Sequence, residues 1–140
     1  MNATQGLVKS YLVEAAVTQY QAVVQGANAD GNCANPGAAN AAGFLGFTLE
    51  PQANVGKGAA VQKSGIARAV ANGGITRGDR VAIASNAGDV SSVEAAIAGT
   101  VTGAGAVITY NVVGRAEETA VNGQIFAVWI TPESAPLAKT

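Results

Sequence analysis

Histidine is absent from this chain of 140 residues, and cysteine occurs once, at Cys33. Those two facts remove Ser-His-Asp and Cys-His nucleophilic sites and nearly every catalytic zinc site. A reactive Cys33 would need a cation or general base beside it, and Asn32, Ala34 and Asn35 supply neither. It reads as a small buried or loop thiol. Glu117 and Glu118 are adjacent, so on a strand they point to opposite faces and form no acid/base pair by themselves. Val55-Gly56-Lys57-Gly58 has the look of a phosphate loop but lacks its spacing and any following helix signal. Asp30, Asn32 and Asn35 offer oxygen ligands without the glutamate that closes a calcium loop. Arg77-Gly78-Asp79 is the tripeptide that integrins read, and here it reads more simply as a β-turn ahead of an alternating strand. The expectation is a protein without catalysis, metal or cofactor.

Such a chain must act through its surface. Charged residues make up 12% and net charge is −1, against about a quarter charged in an ordinary soluble domain. That depletion suits a surface partly covered by partners, and a neutral Thr/Ser/Asn/Gln surface would also produce it. No basic run follows a phosphate backbone, so direct nucleic-acid binding is not expected. Ser10, Glu14, Thr18 and Gln19 break the N-terminal apolar residues, and no stretch is long enough for a membrane helix. The expectation is a soluble product of the cytoplasm with no membrane partner. Hydrophobic residues reach 49%, but most are Ala and Val. Burial at about 25 cal/mol per Å² makes such a core thin, and oligomerisation is a natural remedy.

The elements read as all-β with little helix. Residues 1–14 mix β-branched and aromatic residues with polar ones and predict an extended arm or edge strand. Tyr20 to Val24 predicts a short strand, and Gly26 to Gly37 a loop carrying Cys33. Further strands are expected at Phe44–Glu50, Ala59–Lys63, Ile66–Ala71, Arg80–Ser85 and Ala106–Gly114, separated by Gly/Asn turns. Residues 93–98 are the one candidate helix. Gln124 to Thr131 is the most β-prone segment, apolar on both faces, with Ile125, Ala127 and Trp129 on one and Phe126, Val128 and Ile130 on the other. It predicts a strand buried on both sides. Short strands at this spacing indicate a single barrel or sandwich over 15–131, flanked by the arm (1–14) and a C-terminal tail (132–140).

A faint echo runs through the chain at a spacing of 68 residues. Gly46, Glu50, Asn54 and Ala59 recur as Gly114, Glu118, Asn122 and Ala127. Each copy reads as a strand, a polar turn and a returning strand, either duplicated or built alike.

Taken in order, the segments from 20 to 131 resemble phage capsid cement proteins, also called head decoration proteins. Phe44-Leu45-Gly46-Phe47-Thr48-Leu49-Glu50 resembles the family's first ΦΦGxxxE strand. Val61 to Val70 resembles its VxxxGxAxV hairpin, and Gly74-Ile75-Thr76-Arg77-Gly78-Asp79-Arg80-Val81 its ITxGDxV turn. Asn86 to Val90 resembles the next polar hairpin, and Val112 to Glu118 followed by Asn122 to Val128 the closing VGxAxExAxxGxxxxV segment. Asn122-Gly123-Gln124 departs from the usual Gly-Asp or Gly-Glu, and 94–110 is longer than the pattern.

The resemblance implies a small β-barrel or β-tulip-like domain on the outer surface of the virion's expanded head. There it would bridge major capsid protein subunits, sit as a homotrimer at threefold and quasi-threefold positions, and resist the pressure of packaged DNA. On that reading Thr4, Gln5, Leu7, Val8, Tyr11 and Val13 of the arm are the expected capsid contacts. Phe126, Val128, Trp129 and Ile130 are expected in the subunit interface or the core. A surface-displayed module binding a host or glycan is the alternative, for which the few aromatic residues are thin.

Overall fold

In the computed structural model, residues 6–95 and 107–138 are described. They form ten strands. β1 (Val8–Val13), β2 (Ala22–Gln25), β3 (Asn32–Ala34), β4 (Phe44–Thr48) and β5 (Gly58–Gln62) make a closed barrel in the order β1-β3-β2-β4-β5. β6 (Ile66–Val70), β7 (Arg80–Ile83), β8 (Val90–Ser92), β9 (Val107–Ala116) and β10 (Ile125–Ala138) make a second sheet in the order β6-β10-β9-β7-β8. A parallel bridge between Ala71 and Val90 joins that sheet's two edges. The same parallel seam closes the first barrel, where Val13 pairs with Cys33.

The two halves are one unit used twice. Val23 pairs with Gly46 and Val24 with Phe44, leaving a bulge at Leu45. Val81 pairs with Gly114 and Ala82 with Val112, leaving the same bulge at Val113. Antiparallel bridges Val17–Gln52 and Ile75–Ala120 also correspond. Gly46 and Gly114 occupy one position for one reason. A Cβ on either would collide with a carbonyl of the returning strand, that of Gln62 or of Trp129, and only glycine allows that approach.

Equivalent positions lie 58 residues apart at Val13 and Ala71 and 68 apart at Gly46 and Gly114, so the insertion noted at 94–110 separates the two spacings. The echo at Asn54 and Asn122 is not structural. The first turn carries one extra residue, so Gly56 (φ 84°) matches Gly123 (φ 83°), and Lys57 N–H bonds the Asn54 carbonyl where Gln124 N–H bonds that of Val121.

Packing follows the same repeat. The first barrel's interior holds Tyr11, Val13, Val17, Val23, Cys33, Ala59 and Val61. Their counterparts Ala69, Ala71, Ile75, Val81, Val90, Phe126 and Val128 are buried in the second. That second cluster also takes in Ala22, Val24 and Phe47 from the first barrel's outer side, with Phe44 packed against it. The barrels therefore share one core, stacked head to tail.

Several sequence expectations change. Val8–Val13 is no free arm: it pairs with β5 from Val8–Gln62 to Leu12–Gly58 and with β3 at its end. Its alternation places Tyr11 and Val13 inside. The Cys33 loop contains β3, too short to stand out among turn residues. β10 continues through the expected tail to Ala138, paired with β9 past a bulge between Ile130 and Glu133. Val93 to Ala95 form one helical turn, and the rest of the expected helix lies outside the described residues.

Candidate interaction surface

Cys33, Asp79 and Glu118, three of the residues singled out for chemistry, have structural roles. Cys33 is fully buried, and burial first, then the Glu14 carboxylate, pushes its thiol pKa up, the opposite of nucleophile activation. The second barrel uses Val90 at the same place, so Cys33 packs as an apolar side chain. Asp79 turns inward: its carboxylate accepts from Thr76 N–H at 3.0 Å and from the Ser92 hydroxyl at 2.7 Å. The Arg77-Gly78-Asp79 segment is accordingly a turn, with Gly78 at φ 93°. Gly56-Lys57-Gly58 runs from the exposed β4–β5 reversal into β5, with Gly56 N–H donating to the Val13 carbonyl and Val13 N–H to that of Lys57. Glu117 and Glu118 follow β9, where Glu118 accepts the Ala127 N–H at 3.0 Å. Among the described residues no cluster of His, Cys, Asp and Glu could hold a metal ion.

The residues expected to meet partners divide sharply. Thr4 and Gln5 lie outside the described residues. Leu7 is exposed and Val8 half-buried, while Tyr11 and Val13 are barrel core. Core burial removes Val13, and all but the tip of Tyr11, from direct contact with another protein. Phe126 and Val128 fill the second barrel and Ile130 is buried at its end.

Trp129 differs, with half of its surface exposed. The expectation of a strand buried on both faces is thus corrected, because the Ile125/Trp129 side of β10 faces outward. Ile66 is its cross-strand neighbour, and Gly65, Ile66, Glu117 and Trp129 line a shallow, mainly apolar depression. Ile125 pairs with Val70 further along the same two strands. An indole half open to water beside an isoleucine is the kind of anchor protein interfaces cover. The first barrel carries no such feature, since Gln62 and Val8 stand where Trp129 and Ile66 stand. Apolar alternation alone could not separate this strand face from core, because both carry large hydrophobic residues.

No family model matches the chain, and no curated protein matches it. Among solved structures it is similar to the head fiber gp8.5 N base of bacteriophage phi29, with a TM-score of 0.61 and 14% sequence identity. The likeness covers 92% of this chain and 97% of that one, so the similarity of fold extends over nearly the full length of both.

Proposed function

We propose that this chain is a structural protein of a bacteriophage head. The observation that carries the reading is a fold shared over nearly the full length of both chains with a head fiber base. The ordered segments resembling capsid cement proteins support it independently. The finer reading is a decoration protein on the outer surface of the expanded head. It bridges major capsid protein subunits, associates as a homotrimer at threefold and quasi-threefold positions, and adds resistance to internal DNA pressure. It works without catalysis and without touching nucleic acid. The Trp129–Ile66 face is the surface its self-contact would cover, and the low charge content fits a surface designed for contact.

The same neighbour supports a second reading, a base that seats a head fiber. One experiment addresses both. Purified protein is mixed with undecorated expanded heads, which are then imaged by cryo-electron microscopy. Compact density at threefold and quasi-threefold positions is expected. Bare heads would overturn the proposal, and density extended into fibers would favour the second reading.

A further inference from the structure

The internal joint between the barrels shows what one end of this unit is built to do. In the second barrel, Ala67, Ile83, Val113 and Ile130 lie at the end packed against the first barrel's Ala22, Val24 and Phe47. The strand registers place Lys9, Gln25, Leu45 and Lys63 at the corresponding positions of the first barrel. Among the described residues nothing packs on that end. It opens as a pocket of about 270 Å³.

We propose that this mouth is a docking site for a carboxylate side chain presented by the protein on which the chain sits. The inference rests on the head-protein reading for its partner and on the pocket alone for its chemistry. Tyr11 is only 5% exposed, and Lys63 Nζ donates to its hydroxyl oxygen at 2.6 Å. That is the hydroxyl's one hydrogen bond among the described residues. With the oxygen accepting from an ammonium, the O–H proton is left for an acceptor in the pocket. Lys9 Nζ lies 5.0 Å from the ring centre, and Lys63 Nζ sits beyond the hydroxyl, 5.2 Å from that centre. Two ammonium groups and one hydroxyl proton thus converge, and Asp30 is the one carboxylate in the lining. The remaining single positive charge matches one added carboxylate, bound by charge-assisted hydrogen bonds.

A second copy is the wrong occupant. Repeating the internal joint between chains would bring the outer face of β7 and β9 to this mouth. There Arg80 and Arg115 replace Ala22 and Phe47. Arg80 is engaged by Glu94 at 2.6 Å, but Arg115 is exposed. Cations would face cations, and like charge placed this way excludes a partner.

The test uses the full chain and its Lys9→Gln/Lys63→Gln variant, with melting temperature and amide spectra confirming an unchanged fold. In co-sedimentation with undecorated heads, the variant should bind about tenfold or more weakly, and added salt should weaken the wild type far more than the variant. Without heads, a blocked tri-glutamate peptide at millimolar concentration should shift the amide signals of Lys9, Tyr11 and Lys63 in the wild type only. Equal head binding by both proteins overturns the inference and leaves the head reading intact. Peptide shifts without any head binding uphold the pocket and overturn the head reading. Absence of peptide shifts, or inorganic phosphate acting at lower concentration than the peptide, overturns the inference.

Discussion

Glu14 is the carboxylate most committed to the fold. It stands just after β1 and accepts from Asn28 N–H at 2.8 Å, from the Asn32 side-chain amide at 3.0 Å and from Ala27 N–H at 3.0 Å. It thereby ties the β2–β3 loop to the barrel seam. The Asn28 N–H first, then the Asn32 amide and the Ala27 N–H, hold its pKa below the ordinary 4.5 against a smaller opposing effect of burial. A folded pKa below the unfolded one gives stability that is present above the unfolded pKa and lost as pH falls toward the folded value. Glu14→Gln should therefore melt below the wild type at neutral pH, with the gap closing as pH drops beneath about 4.5. Thermal melts of both proteins across pH check this, and a gap independent of pH would remove the ionised carboxylate from the account. Nothing in the sequence marks Glu14, because its three donors lie 13 to 18 residues away across a loop. The opposite holds for Cys33 and Gly78, whose plain structural roles were legible: one lacked chemical partners and the other sat in a turn pattern.

At the scale of strands, the two barrels solve one packing problem with the large side chain on opposite sides. Tyr11 on β1 faces Ala59 on β5, whereas Ala69 on β6 faces Phe126 on β10. These are the same cross-strand pair, and close packing demands one large and one small member in each. Phe126→Ala alone should cost about 3–5 kcal/mol, and Ala69→Phe alone about 1–3 kcal/mol from overpacking. The double variant moves the ring across the pair and should be clearly more stable than additivity allows, as read in a denaturant double-mutant cycle. Additive losses would mean the pair does not share one volume. This exchange also explains what the sequence concealed. Strands with clean alternation and glycine-bounded ends, such as Arg80–Ile83, were readable, while β1 looked like an arm because its partners β5 and β3 are distant in the chain. Trp129 looked like core because periodicity reports that a face is apolar, not which face is covered.

For the molecule as a whole, the echo between Gly46 and Gly114 marks a repeated barrel unit, whose spacing of 68 holds from those glycines to the bridged Gln52 and Ala120 before the following turn shifts it by one. Interior identities have drifted, Tyr11 against Ala69 and Cys33 against Val90, and the spacing changes across the insertion, which together hide the repeat from simple self-comparison. The fate of the halves is nonetheless joined. Phe47 belongs to a strand of the first barrel yet is buried in the cluster that fills the second, edge-on to Phe44 at 5.3 Å between ring centres. Neither barrel can keep that cluster intact alone, because separation would expose Ala22, Val24 and Phe47 on one side and the mouth residues Ala67, Ile83 and Ile130 on the other. Calorimetry should therefore show one transition whose van't Hoff and calorimetric enthalpies agree. Phe47→Ala, costing about 3–5 kcal/mol, should shift that single transition down without splitting it. Two resolved transitions, with the variant lowering only the first, would instead make the barrels independent domains. The joint would then be a contact between finished units, and its use as a pattern for the open mouth would weaken with it.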